Sequence, residues 1–344
     1  MKRALIVAPA WVGDAIMAEP LLARLQEANP EMAIDVLSPA WVAPVFTRMR
    51  EVERVHLSPF GHGELSLRRR FSLGRSLKGY SNAYVLPNSF KSALIPFFAG
   101  IPCRVGFTGE ARYGLLNVRH VLDKKSLPLM VERFAQLAEE PGAPIPRPVA
   151  FPRLVSTPEQ QSISFTELSL PEEGKAPIIF CPGAEYGPAK RWPGGHFAAL
   201  ATALCKEDGA RIWLLGSGKD KPLAEAILAQ LPDEARAQCR NLCGATRLEQ
   251  AIDLIARSRL VVCNDSGLMH VAAALKRPLV ALFGSSSPAF TPPLTNEATI
   301  MRLKLECSPC FKRECPLGHL DCLTKLSPEQ VLAACQSILS EEKP

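Results

Sequence analysis

Short apolar runs recur along this chain with helical patterns between them, and that alternation limits the fold more than any other feature. Residues 4–8 read as a buried strand, followed by a helix over about 14–28. Residues 34–37 and 83–86 are further strands. After a break, 177–181 is a strand, and Pro193 opens a helix running to about 207. Residues 211–215 form a strand ending in Gly216-Ser217-Gly218. Residues 260–263 form another, a helix follows over 267–275, and 279–283 is the next strand. Strands that are apolar throughout and alternate with helices predict an α/β fold with parallel sheets and right-handed crossovers.

The break is the segment 139–160, which holds Pro141, Pro144, Pro146, Pro148, Pro152 and Pro158. No periodic element continues through it, so it reads as a linker between two Rossmann-like halves. The expected division is a first domain over 1–158 and a second over 159–325. A C-terminal helix over 326–344, starting near Ser327-Pro328-Glu329-Gln330, is expected to pack back across the domains. Ligands of open α/β sheets sit beyond the carboxyl ends of the strands, so the expected site is the interdomain cleft.

Length and composition agree with this division. At roughly 150 residues per domain, 344 residues make about two domains. With 47% hydrophobic and 22% charged residues, a disordered chain and a coiled coil are excluded. The 31 prolines have no period, which removes collagen-like and solenoid folds. A net charge of +6 favours anionic partners such as phosphates or an acidic membrane surface. The basic clusters are short and lack neighbouring aromatic stacking motifs, so no nucleic-acid partner is expected. Lys2 and Arg3 precede an apolar run that Pro9 interrupts and Asp14 ends, a first strand rather than a signal peptide. No apolar run reaches the length of a membrane span. Residues 93–103 read as a core segment or as a surface facing a lipid-linked partner. Cys181 and Cys263 lie in strand-like runs, as small hydrophobes of a reducing cytosol would.

Three loops carry chemistry. The first is Trp11-Val12-Gly13-Asp14, directly after the first strand. Asp14 either caps the helix or serves as a general base. The second runs from Cys181 to Pro193 and includes Gly183, Glu185, Tyr186, Gly187, Lys190 and Arg191. Its cations stand near a helix N-terminus that already attracts anions, or are simply solvated. It lacks the Gly-Lys-Ser/Thr ending of a P-loop. The third is Asn264-Asp265-Ser266-Gly267-Leu268-Met269-His270. Ser266 and Gly267 offer N–H groups to a phosphate, and His270, four residues on, shares their face. No G-x-G-x-x-G follows the first strand, against a dehydrogenase. No Asp-x-Asp occurs for a metal-dependent transferase, so a leaving diphosphate would fall to Lys190, Arg191 and helix dipoles.

At these loops the chain resembles the lipopolysaccharide heptosyltransferases. The likeness rests on Trp-Val-Gly-Asp at 11–14, Pro-Ala-Lys-Arg-Trp-Pro at 188–193 and Asn-Asp-Ser-Gly-Leu-Met-His at 264–270. Leu-Pro-Asn-Ser-Phe-Lys-Ser-Ala-Leu at 86–94 and Cys-Pro-Gly-Ala-Glu at 181–185 resemble the branch that adds the second core heptose. The likeness covers the chain from Met1 to about Thr295. It implies a GT-B fold, with acceptor on the first domain and nucleotide sugar on the second. It implies inverting transfer of L-glycero-D-manno-heptose from ADP-heptose to the first heptose of the inner core, at the cytoplasmic face of the inner membrane, with no catalytic cofactor. The alternatives are a relative acting on another acceptor such as Kdo, and a non-catalytic two-domain sugar-binding protein.

The implied catalytic residues are Asp14 as base and Lys190 on the donor phosphates. Donor binding is expected at Gly183, Glu185, Tyr186, Lys190, Arg191, Ser217, Asp265, Ser266, Gly267 and His270. Acceptor binding is expected at Gly13, Asn88, Ser89, Lys91 and Arg112. Partners are heptosyl-Kdo-lipid A and the anionic inner leaflet, met by Arg68, Arg69, Arg70, Arg75, Lys78, Lys91, Arg112 and Arg119. Near the C-terminus, Cys307, Cys310, Cys315 and Cys322 form a close cluster. Only the first pair has the Cys-x2-Cys spacing of zinc sites. A structural zinc, free or disulfide-linked thiols, and a redox role all remain open there.

Overall fold

The computed structural model describes residues 2–61 and 63–341; the last three residues of the expected C-terminal segment lie outside the described residues. The chain divides into two compact units, Met1–Val155 and Ser156–Pro344. In the first, six parallel strands form one sheet: β1 (Arg3–Val7), β2 (Ala33–Pro39), β3 (Val52–Ser58), β4 (Asn82–Val85), β5 (Cys103–Phe107) and β6 (Val118–His120). Their order is β3-β2-β1-β4-β5-β6. The second unit repeats the plan with β7 (Ile178–Cys181), β8 (Ile212–Leu214), β9 (Cys239–Asn241), β10 (Leu260–Asn264), β11 (Leu279–Phe283) and β12 (Ala298–Arg302). These are also parallel, in the order β12-β11-β10-β7-β8-β9. Numbered within each unit, both sheets have the 3-2-1-4-5-6 order of the Rossmann fold.

The central strands are apolar on both faces because helices cover both. Ala4, Leu5 and Ile6 are fully buried in β1, as are Ile178 to Phe180 in β7 and Leu260 to Cys263 in β10. Around the second sheet, Trp192, Phe180, Phe197 and Leu200 pack with Val331 and Cys335 of the helix Pro328–Glu341. That helix lies on the helix Gly194–Asp208.

Two helices replace the one expected over 14–28: Val12–Met17 and Glu19–Ala28. Pro20 sits in the first turn of the second, where it lacks an N–H to continue the earlier helix. The first half's longest apolar run becomes the helix Phe90–Phe98, with Pro96 inside, before β5 starts at Cys103. Pro158, the last of the linker prolines, starts a helix instead, Pro158–Glu167, with Thr157 as its N-cap. Among the described residues, no helix is long and apolar enough to cross a membrane.

Candidate active site

A Rossmann sheet leaves a crevice where its strand order reverses. In the first unit that switch point lies between β1 and β4. The segments that follow those two strands carry Gly13-Asp14, at the start of a helix, and Asn88-Ser89 in a loop. Asp14 sits in the first turn of the helix Val12–Met17. Burial pushes its carboxyl up from 3.8 to about 6. A carboxylate near neutrality, at a helix N-terminus and outside the core, is suited to take a proton.

Arg112 is fully buried. Its guanidinium donates to Pro87 O at 2.8 Å, to Asn88 Oδ1 at 3.1 Å, to Gly109 O at 3.3 Å and to Phe107 O. Arg112 therefore holds the loop that presents Asn88. Arg70 is used in the same way, donating to the carbonyls of Glu64, Leu65 and Lys91 and lying 4.0 Å over the Phe60 ring. The exposed remainder of the basic stretch is Arg68, Arg69, Arg75, Lys78 and Arg119, while Lys91 is half-buried. Arg69 pairs with Glu64 at 2.7 Å.

In the second unit the switch point lies between β7 and β10. Here residues from two separate loops meet across the sheet. Lys190 Nζ lies 2.5 Å from Asp265 Oδ2 and 5.1 Å from the centre of the Tyr186 ring. Asn264, wholly buried at the end of β10, clamps both lips. Its amide donates to Pro182 O at 2.8 Å and its oxygen accepts from Trp192 N at 3.0 Å. Trp192, 1% exposed, is tied in turn by Nε1 to Leu326 O at 2.8 Å. Ser266 is the N-cap of the helix Gly267–Ala274 and makes no side-chain cap bond. His270, one turn in, is buried with Nδ1 lacking a partner among the described residues. Burial pushes it down to about 4, so it is neutral and offers hydrogen bonding rather than charge.

The remaining expected donor residues surround this centre. Gly183 packs so closely on Asp220 that a Cβ would lie 2.4 Å from its carboxylate. Asp220 accepts from Ser217 N at 2.9 Å and Ser217 Oγ at 2.8 Å, and Arg191 stands 3.8 Å away. Ser217 is thus occupied with its own turn. Glu185 is exposed and pairs with Lys219 at 2.6 Å.

Two features at this crevice escape the sequence reading. One is Asn264 as a clamp rather than a mere turn residue. The other is Gly284-Ser285-Ser286-Ser287 after β11, where the Ser285 and Ser286 hydroxyls are buried without partners among the described residues. Hydroxyls at a sheet's carboxyl edge that follow a fully apolar strand were the available signal.

The C-terminal cysteines stand beside the same crevice. Ala189 N donates to Arg313 O at 3.0 Å, Phe311 N to Ser285 O at 2.7 Å, and Tyr186 Oη to Phe311 O at 2.8 Å. All eleven cysteines are free thiols. Among the described residues, no group of three or more His, Cys, Asp or Glu side chains is arranged to hold a metal ion as it stands.

The sequence model of "Glycosyltransferase family 9 (heptosyltransferase)" matches residues 70–321. The chain is 49% identical to lipopolysaccharide heptosyltransferase 2 of Salmonella typhimurium, over 99% of both chains. It is 24% identical to lipopolysaccharide heptosyltransferase 1 of Pseudomonas aeruginosa, over 98% of both. The solved structure of Escherichia coli ADP-heptose lps heptosyltransferase II superposes with a TM-score of 0.90 at 46% identity, covering all of both chains. With matching sequence, two matching Rossmann sheets and the same two-unit α/β plan, the chain belongs to glycosyltransferase family 9, the heptosyltransferases.

Proposed function

We propose that this glycosyltransferase moves L-glycero-D-manno-heptose from ADP-heptose onto the first heptose of the lipopolysaccharide inner core, with inversion. The identity to heptosyltransferase 2 is about twice that to heptosyltransferase 1, which favours the second-step acceptor over Kdo. The observation that carries the chemistry is Lys190, held by Asp265 beside a helix N-terminus at the second switch point.

In the proposed reaction Asp14 takes the proton of the acceptor hydroxyl as its oxygen attacks the anomeric carbon. The bond from that carbon to the diphosphate breaks, and ADP departs with the electron pair. Positive charge grows on the sugar ring, as in glycoside chemistry. Negative charge grows on the leaving diphosphate, where Lys190 and the N–H groups of Gly267 and Leu268 stabilise it. Neutral His270 and the half-buried Ser266 hydroxyl orient the donor by hydrogen bonds. Gly13, Asn88, Ser89 and Lys91 face the acceptor, with Arg112 as their support.

The proposal includes cytoplasmic location and loose attachment to the inner membrane. It draws support from the helix Leu67–Ser76, which exposes Leu67 and Phe71 among Arg68, Arg69 and Arg75, beside exposed Phe97. Each such cation contributes about 1 kcal/mol at an anionic surface. Sedimentation with phosphatidylglycerol vesicles at low salt tests it; protein left in the supernatant refutes the membrane part.

Mass spectrometry of heptosyl-Kdo-lipid A after incubation with ADP-heptose, enzyme and EDTA tests the reaction. A gain of one heptose is expected. Transfer to Kdo-lipid A instead would establish the first-step reading, and no transfer to either would refute both.

A further inference from the structure

The cysteines at 307, 310, 315 and 322 have no part in the transfer chemistry, yet they converge. All four line one small cavity, together with His319, Leu320, Ala189 and Ser285. Its free space is about 20 Å³, the room of a single water-sized sphere. Of the four, Cys322 is buried, Cys310 and Cys315 are half-buried and Cys307 is exposed, and the segment around them has almost none of its own core: residues 311–314 and 316–319 are exposed. Its shape must be held by something other than hydrophobic burial.

We propose that Cys307, Cys310, Cys315 and Cys322 bind one thiophilic divalent metal ion, zinc or ferrous iron, that folds residues 307–322 into a rigid buttress for the Tyr186–Lys190 loop. The four cysteines line a common space, and their side chains must turn inward to close on an ion, since they do not form a metal-holding group as they stand. On binding, each thiol loses its proton to solvent as its sulfur donates to the metal; nothing is oxidised or reduced. Four ligands close the tetrahedron, so the ion has no open position for catalysis and acts structurally.

What the metal steadies is visible in the backbone contacts. The peptide between Cys310 and Cys315 donates to Ser285 O and accepts from Tyr186 Oη and Ala189 N. Ser308 Oγ holds Gly284 O at 2.7 Å. Gly187 lies against the same strip, where a Cβ would come 2.5 Å from Arg313 O. The Arg313 guanidinium and Lys190 Nζ both lie within 5.3 Å of the Tyr186 ring centre. Loss of the ion therefore loosens the loop that carries Lys190 while the sheet beneath stays folded.

The test is metal analysis of the full chain purified without chelators under reducing conditions, then loaded with zinc or anaerobic ferrous iron and desalted. About one bound equivalent is expected, falling below about a tenth in Cys310→Ser and Cys315→Ser and staying at one in Cys103→Ser. An absorption band from thiolate-to-iron charge transfer, or its absence, identifies the ion. Chelation should lower the melting temperature of the wild-type chain and leave Cys310→Ser unmoved. Wild-type protein that retains no metal after loading overturns the proposal. So does intact mass showing disulfides under reducing purification, or metal retained by both serine variants. These readouts need no substrate, so they stand or fall apart from the transfer reaction.

Discussion

Replacing Asp14 by asparagine should slow transfer severely and stabilise the protein at the same time. The carboxyl titrates near 6 in the folded chain against 3.8 ordinarily, and burial is the cause. A move of that size corresponds to about 3 kcal/mol. The sign follows from linkage: a carboxyl raised by folding opposes folding wherever it is ionised. That cost is fully present above about pH 6 and vanishes as the pH falls below 3.8. Asparagine removes the charge but keeps a half-buried polar amide, which returns part of the gain. The net expectation at pH 8 is a stabilisation of about 1–2 kcal/mol, read by urea denaturation. Activity should fall by about 10²–10⁴, the usual contribution of a general base. Wild-type kcat/KM should decline below about pH 6, to roughly a tenth of its plateau at pH 5, because only the ionised carboxylate accepts a proton. An Asp14→Asn protein that is less stable than wild type at pH 8, or a wild-type plateau unbroken to pH 5, would refute the reasoning.

Other substitutions report on the second crevice. Lys190→Met should cost transfer about 3–4 kcal/mol in kcat/KM. It should also destabilise the fold, because Asp265, 5% exposed, is left buried without its cation; unchanged denaturation would show the pair to be solvent-screened. Gly187→Ala should raise KM for the donor more than it lowers kcat, since its Cβ meets a backbone carbonyl that cannot swing aside. Trp192→Phe removes the bond to Leu326 O and should cost about 1–3 kcal/mol, measured by thermal denaturation. The His270 imidazole should show no NMR titration between pH 5 and 9, as burial holds it neutral; a midpoint near 6.5 would contradict that.

Much of this architecture was legible in the sequence, and the exceptions have physical causes. β1, β7, β10 and β11 lie within a residue or two of their expected spans, because strands covered on both faces are apolar at every position. The outer strands gave no such signal. β3 reads Val-Glu-Arg-Val-His-Leu-Ser with Glu53 and Arg54 exposed, and β6, β9 and β12 are short or polar. The three chemistry-bearing loops all fall at switch points, where a strand's end and a helix's start leave a local signature. What no local signature encodes is pairing across the fold. Lys190 and Asp265 stand 75 positions apart and meet only because β7 and β10 are neighbours. Arg112 looked like a surface cation, since one sequence cannot show that its donors would be consumed by carbonyls.

The placement of the helix Pro328–Glu341 also bears on how the chain folds as it leaves the ribosome. The first unit is contiguous and ends at Val155, and all six strands of its sheet are made before the second unit begins. The second unit differs. Val331 and Cys335 are wholly buried in the core built on β7 and β10, yet they are synthesised long after β7. At about 5–20 residues per second, the roughly 150 residues between take about 8–30 s. For that interval Trp192, Phe197 and Leu200 lack their last covering layer, and the half-built second unit is the form of this protein most in need of a chaperone.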